Sequence, residues 1–407
     1  MKTTGYKIVA LGMGLLCLLA TSCSKDSASP LNEEAKQEQT QEKSIQIGFG
    51  AEQVEFQEDA EYARALGYTF GTDEFKLPKI TFGAAGDTND VPVMAFFRNK
   101  TTNKMVHVKL MFNTVKGSNK LYRTFSAIPE LNNYVNQSNW NDWYVKMFIG
   151  GYPEKIGSGN WPAHSTANET DPNINQVRFV YDSLWDVTPE TTQITIGEYL
   201  SGKWDGFPVR PLPMETDWTH VRFTSPTGGG NPSYTSNNVV FKPIGSLLRI
   251  LFENKASTPA SFSSVALYNV QGNPSRSAND ALLVNHILVK LDKNLSFAAD
   301  GSVDQAASVT RQEVTDGYIH YHFPDVNRNR TVKEVAPGGK RLLYLWVLPT
   351  PSRLNKTSEI IQPSLYKSAA NNHQYDGTTF YRRASGLTVT RDTYQEGKSY
   401  SIRMTRN

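Results

Sequence analysis

The segment MVHVKLMFN, residues 105–113, indicates the fold class of this 407-residue chain. Apolar side chains occupy every second position from Val106 to Phe112, with His107 and Lys109 between them. Because successive side chains of a β-strand point to opposite faces, this alternation predicts a strand with one buried face. Shorter runs of the same kind are VRFVY at 177–181, ITI at 194–196 and VALY at 265–268.

The composition also favours β-structure. The chain contains 29 Gly, 21 Pro and 11% aromatic residues, and turn-forming segments such as AAGDTND and NPSRSAND separate its strand-like runs. This combination is typical of antiparallel sandwiches. Only DALLVNHILVKL, residues 280–291, could be a helix, and it is equally compatible with a strand. We therefore predict an all-β protein.

The stretch TSPTGGGNPSYTSNN, residues 224–238, is the best candidate for a domain boundary, because glycine and proline are concentrated there. It leads into VVFKPIGSLLRILFENK, where Pro243 and Gly245 interrupt an apolar run as in a kinked or bulged strand. We predict an N-terminal sandwich at 65–226 and a C-terminal sandwich at 227–407.

The N-terminus has the order of an export signal. Lys2 and Lys7 precede the apolar run IVALGMGLLCLLA, and TSC follows, ending at Cys23. We therefore predict that residues 1–22 are a lipoprotein signal peptide. After its removal Cys23 would be acylated, for example with palmitate, and the lipid would hold the precursor in the outer membrane. A plain secretory signal cut elsewhere is the alternative. The polar residues 24–44 predict a flexible tether.

The sequence contains little that indicates catalysis. A net charge of +3 with scattered Lys and Arg gives no reason to expect a nucleic-acid partner. The seven histidines are dispersed, and only His320 and His322 could point the same way from one strand, with Asp325 as the nearest carboxylate. No phosphate-binding loop, nucleophile elbow or metalloprotease motif is present. We predict no enzymatic activity, no metal and no cofactor.

A cluster of aromatic residues allows a second hypothesis. Trp140 and Trp143 in NWNDWYVKMFIGGYPE, with Trp161 beyond it, could form a flat platform for sugar rings. Core aromatics next to a turn are the more conservative interpretation of the same residues. The platform hypothesis describes a surface glycan-binding lipoprotein of β-sandwich domains.

Several segments together resemble the fimbrillins, the type V pilins of Bacteroidales. They are ATSCSKD around Cys23, SIQIGF at 44–49, Arg64-Ala65-Leu66-Gly67, VVFKPIGSLLRILFEN and WVLPT at 346–350. The resemblance implies two tandem antiparallel β-sandwich (transthyretin-like) domains. It also implies that an arginine-specific protease cuts between Arg64 and Ala65, so that residues 23–64 form a propeptide. Loss of its first strand would open a groove for a strand from another fimbrial subunit, at the cell surface.

The alternation of Ile45, Ile47 and Phe49 suits such a removable strand. About fifteen residues separate this strand from Arg64, a longer spacing than some members of the family have. Either a loop carries Arg64 outward, or a second piece around Val54 and Phe56 belongs to the released segment. The two C-terminal candidate strands, LTVT and YSIRMT, include no clearly surplus strand, which favours a tip or accessory subunit over a stalk subunit.

Overall fold

A computed structural model provides the coordinates of the chain. It describes residues 45–53, 57–58, 79–81, 90–114, 120–154, 173–180, 184–187, 193–195, 213–224, 232–262, 264–269, 283–316, 318–322, 333–348, 359–367, 378–382, 387–389 and 396–407.

These described residues form 26 β-strands. The strands of the first half are β1 (Gln46–Gln53), β2 (Gln57–Glu58), β3 (Lys79–Thr81), β4 (Asp90–Asn99), β5 (Met105–Thr114), β6 (Lys120–Ala127), β7 (Trp143–Ile149), β8 (Tyr152–Glu154), β9 (Gln176–Val180), β10 (Leu184–Val187), β11 (Gln193–Thr195), β12 (Met214–Glu215) and β13 (Thr219–Val221). Those of the second half are β14 (Ser233–Pro243), β15 (Ser246–Asn254), β16 (Ala260–Phe262), β17 (Ser264–Asn269), β18 (Leu283–Lys290), β19 (Thr310–Asp316), β20 (Tyr318–His322), β21 (Lys333–Val335), β22 (Lys340–Val347), β23 (Glu359–Lys367), β24 (Thr378–Arg382), β25 (Leu387–Val389) and β26 (Lys398–Arg406).

The all-β prediction is confirmed for the described part of the chain. Its one helix is a single 3-10 turn, Pro129–Leu131. The ambiguous segment at 280–291 contains strand β18, which lies between β9 and β19 and therefore has a partner on each side. The described part contains no helix that has both the length and the apolar character needed to span a bilayer.

The first and largest sheet closes on itself. Its strand order is β12-β14-β1-β6-β5-β4-β7, and β12 pairs with β7 to complete a barrel-like ring of seven strands. Strand β13 pairs with the first half of β7, next to β12. Closure removes the free edges that an open sheet would leave. The arrangement as two tandem sandwiches stays a prediction.

The segment that predicted the fold class is β5, and its alternation corresponds to its two faces. Its apolar positions are buried, from Val106 at 9% exposed to Phe112 at 0%, whereas Met111 between them is 40% exposed. The opposite residues of β4, from Val91 to Phe97, share the buried face. This face lines the inside of the ring.

Strands β4 and β7, unlike β5, are buried on both faces. Phe96 and Phe148 lie on the outer face, 5.8 Å apart between ring centroids. Phe148 also contacts Phe179 of β9, at 5.9 Å. Strand β9 belongs to a separate four-stranded sheet, β19-β18-β9-β8, which therefore covers this part of the ring. Because both faces are covered, β7 is a continuous buried run instead of an alternating one.

At Gly245 the chain leaves the first sheet and enters a second sheet, which has five strands. Strand β14 pairs with β1 and β12 in the first sheet, whereas β15 pairs with β22 and β26 in a sheet of order β10-β22-β15-β26-β2. The change of sheet thus comes after the glycine-rich stretch at 224–238, and the domain boundary at 226/227 stays a prediction. The expected kink is present, since Gly245 has a φ of +111° between the two strands.

Replacing Gly245 with Ala is expected to lower the free energy of unfolding by about 3 kcal/mol, because strain and overpacking add. A Cβ there would come within 2.5 Å of Trp346 Nε1 and 2.6 Å of the Val347 carbonyl oxygen. Denaturant unfolding would measure the loss. The control is Gly338→Ala, where φ is +72° but no atom lies within 4 Å of the added Cβ. Equal losses in the two variants would contradict the packing argument.

Candidate functional site

Strand β1 is an internal strand of the first sheet. It runs parallel to β14, from Gln46 opposite Ser233 to Gln53 opposite Phe241. On its other side it runs antiparallel to β6. Register shifts lie between Ile47 and Phe49 on the β6 side, and between Phe49 and Ala51 on the β14 side. If β1 were removed, the facing edges of β6 and β14 would both lose their ladder partner.

The three alternating side chains at this strand point into the core. Ile45 is 1% exposed, Ile47 is 0% and Phe49 is 3%. The Phe49 ring stacks on Phe112 of β5 at a centroid distance of 5.9 Å and meets Tyr234 of β14 edge-on at the same distance. These rings join β1 to strands on both sides of it, so Phe49 is a central packing residue of the site.

Hydrogen bonds of backbone amides fix the start of the strand. The Ile45 amide donates to the Asn132 side-chain oxygen at 2.9 Å, and the Ile128 amide donates to the Ile45 carbonyl at 2.7 Å. The Gln46 amide donates to the Pro232 carbonyl at 3.0 Å. The strand is therefore fully integrated into the sheet from its first residues.

The segment before Arg64 contributes to two sheets. Beyond β1, the short strand β2 pairs in parallel with the start of β26, with Gln57 opposite Lys398 and Glu58 opposite Ser399. Strand β2 forms one end of that second sheet. Val54 and Phe56, named in the second interpretation of the spacing, lie outside the described residues.

A cluster of charges surrounds the short strand that closes the ring. The Glu215 carboxylate of β12 lies 2.9 Å from Lys146 Nζ of β7, and it also pairs with the Arg311 guanidinium of β19. Lys146 Nζ donates to the Thr216 carbonyl at 2.5 Å. Burial, reinforced by the Arg311 cation, lowers the pKa of Lys146 to about 7. Arg311 pairs with Glu396 as well, at 2.5 Å.

The structure describes two of the three tryptophans of the sugar-platform hypothesis, Trp140 and Trp143. Trp143 is 1% exposed, and its indole nitrogen donates to the Asn139 side-chain oxygen at 3.2 Å. Trp140 is half-buried and packs against the core. Both residues thus pack against their neighbours, and the sugar-platform hypothesis stays a prediction. Trp161 lies outside the described residues, as do Cys23, Arg64 and Ala65.

Within the described part of the chain, no group of three or more His, Cys, Asp or Glu residues is placed to hold a metal ion. His320 and His322 lie on β20, at an end of the sheet β20-β17-β23-β24, opposite Ala266 and Ser264 of β17. Asp325 lies outside the described residues.

The sequence did not indicate which residues of other strands pack around β1 or form the charge cluster at β12. Tyr234 and Phe241 of β14 pack around Phe49 and Phe112, but both lie beyond the predicted boundary at 226/227, so the sequence placed them in the second sandwich. Glu215 and Lys146 were not singled out, because single charged residues 69 positions apart carry no local signal. Their pairing depends on long-range strand contacts.

Comparisons with known proteins give only distant similarities. No protein-family model matches the chain, and no curated protein matches it. A proposed cell adhesion protein from Bacteroides ovatus aligns over 89% of this chain and 92% of its own, with 9% identity and a TM-score of 0.35. The C-terminally truncated tip fimbrial protein from Porphyromonas gingivalis aligns over 89% and 95%, with 10% identity and a TM-score of 0.29. These similarities are too weak to assign a family or a function.

Proposed function

We propose that this chain is a subunit of a cell-surface fimbrium that accepts a β-strand from another subunit. The observation that carries the proposal is the position of β1, which is buried between β14 and β6. Among the described strands, only β1 and β2 precede Arg64. A single cut after Arg64 separates both strands from the rest of the chain. The fimbrillin-like order of signal, tether, strand and Arg64 supports the same conclusion.

The energetics explain why a vacated site would take up a strand. Burial of Ile45, Ile47 and Phe49 contributes about 5–9 kcal/mol in total. Each backbone hydrogen bond to β6 or β14 adds about 0.5–1.5 kcal/mol. Removing β1 exposes this apolar surface and two unpaired strand edges, which a foreign strand of the same alternation relieves. Such a complex would dissociate slowly.

The position of the C-terminal strand favours a subunit that accepts a strand but does not donate one. Strand β26 lies between β15 and β2, and it pairs in parallel with β15 from Ser399 opposite Leu247 to Arg406 opposite Asn254. Its Tyr400 and Met404 are 1% and 2% exposed. Donating this strand would leave β15 paired with β22 alone and would take these two side chains out of the core, so we assign the subunit to the tip or an accessory position.

The remaining parts of the proposal concern export. Cys23 would hold the precursor in the outer membrane through its lipid, and the polar residues 24–44 would act as a tether. An arginine-specific protease would then free the protein, beginning at Ala65, for assembly with other subunits into the fimbrium. Two tandem transthyretin-like sandwiches are the organisation we expect for the mature subunit.

Strand capture by purified protein tests the proposal. The full chain is cut with an arginine-specific protease, and a fluorescent peptide with the sequence of residues 45–58 is added in mild denaturant. We expect the cut protein to capture the peptide and hold it for hours, because the peptide restores both ladders. Fluorescence anisotropy after dilution measures the capture.

Two controls make the result specific. The uncut protein should not capture the peptide, and neither should an Arg64→Lys chain exposed to the same protease. A peptide carrying Ile47→Asp and Phe49→Asp should not be captured by the cut protein. Failure of the protease to cut at Arg64, or equal binding by cut and uncut protein, would rule the proposal out.

A further inference from the structure

If β1 is absent, strand β14 keeps ladder partners in this sheet only at its two ends. In the intact sheet it pairs with β1 along most of its length. Its other ladder partners among the described residues are Thr224, which bridges Ser233 at one end, and β12, which pairs with Lys242 and Pro243 at the other. Loss of β1 therefore leaves the middle of β14 without a ladder partner in this sheet.

Strand β12 has only two residues, but its surroundings hold it firmly to β7. The Thr216 amide donates to the Met147 carbonyl at 2.9 Å, and the Met147 amide donates to the Thr216 hydroxyl at 2.9 Å. Next to it, the Ile244 amide at the end of β14 donates to the Pro213 carbonyl at 2.9 Å. Backbone bonds thus run from β7 through β12 to β14.

The charges around Glu215 reinforce the same connection. Glu215 lies on the outer face of the ring, directly opposite Phe148 of β7. Its side chain is 12% exposed and Lys146 is 4% exposed, so their ion pair lies largely out of water. Arg311 extends the cluster to β19 of the covering sheet and to Glu396 just before β26. Removing the Glu215 carboxylate therefore leaves the buried Lys146 ammonium group without full compensation.

We propose that β12 and the ion cluster of Lys146, Glu215 and Arg311 form a clasp that holds β14 in register while β1 is absent. The clasp keeps the gap between β6 and β14 open for an incoming strand. Without it, β14 would detach and the ring would open at two places. This inference rests on the proposed function only in assuming that β1 leaves, and its first test displaces β1 by substitution, without any protease.

The test is hydrogen exchange of the β14 amides in the full chain. Ile47→Asp displaces β1 by placing a carboxylate at a fully buried position. We expect β14 to stay protected in Ile47→Asp, and to exchange at least about tenfold faster when Glu215→Gln is added. Glu215→Gln alone should change β14 exchange little, because β1 still holds the strand.

Lys242→Gln is the matched control. Lys242 lies on β14 and pairs with Asp217 at 2.5 Å, but both side chains are about half-exposed, so its loss should have little effect in either background. The inference is overturned if β14 loses protection in Ile47→Asp alone, or if Glu215→Gln and Lys242→Gln act alike there.

If Ile47→Asp unfolds the whole chain, the amides of β15 and β22 will also lose protection. In that case β1 is removed in a second way. The wild-type chain and the Glu215→Gln chain are then cut at a site-specific protease sequence inserted after Arg64, and β1 is washed out in mild denaturant. The clasp predicts faster β14 exchange only in the cut Glu215→Gln protein. Equal exchange in the two cut proteins would refute it.

Discussion

Phe49→Ala in the uncut chain is expected to lower the free energy of unfolding by about 3–5 kcal/mol. Phe49 is 3% exposed and contacts the rings of Phe112 and Tyr234, so the change leaves a cavity between three strands. Part of β1 should also become accessible to proteases, because the strand loses its central anchor. Denaturant unfolding and limited proteolysis of residues 45–58 measure the two effects.

Tyr122→Ala is the control for this prediction. Tyr122 of β6 lies opposite Gly50 of β1, in the same ladder, but it is 43% exposed. Its loss should cost no more than about 0.5 kcal/mol. If Phe49→Ala were as mild as Tyr122→Ala, β1 would not be a core strand, and its removal would not create a groove that needs filling.

Truncation of residues 398–407 is expected to abolish cooperative folding. These residues form β26, which pairs with β15 along its whole length and contributes the buried Tyr400 and Met404. The Arg406 guanidinium also donates to the Thr258 and Pro259 carbonyls, each at 2.8 Å. Near-ultraviolet circular dichroism and a denaturant titration would show the loss of fixed tertiary structure.

The truncation also distinguishes an accepting subunit from a donating one. A spare donor strand can be deleted without harm to the subunit that carries it, whereas a strand that contributes core side chains cannot. Deletion of Asn407 alone, which is exposed and follows β26, should leave the unfolding transition unchanged. A chain lacking 398–407 that still unfolded cooperatively at the wild-type midpoint would contradict the tip or accessory assignment.

Local patterns were enough to predict the strand class and the burial of the side chains at β1. The alternation in MVHVKLMFN predicted β5 with its buried and exposed faces. The shorter alternation of Ile45, Ile47 and Phe49 predicted burial at β1, which the structure confirms. Both predictions succeed because period-two alternation is a local property that one covered face imposes on a strand.

Closure of the ring could not be predicted from the sequence. It depends on β12, whose two residues Met214 and Glu215 carry no periodicity, and on β14, which begins within a glycine-rich stretch that resembles a linker. The parallel pairing of β1 with β14 joins residues almost 190 positions apart. Such pairings follow from long-range packing, which a local pattern does not encode.

The N-terminal residue of oligomers recovered from the cell surface tests the central claim most directly. Mass spectrometry of heat-resistant oligomers that contain this chain is predicted to find Ala65 as the first residue, with the β1 sequence at residues 46–53 absent. Oligomers in which the chain begins at Cys23 and still carries β1 would contradict assembly by strand replacement.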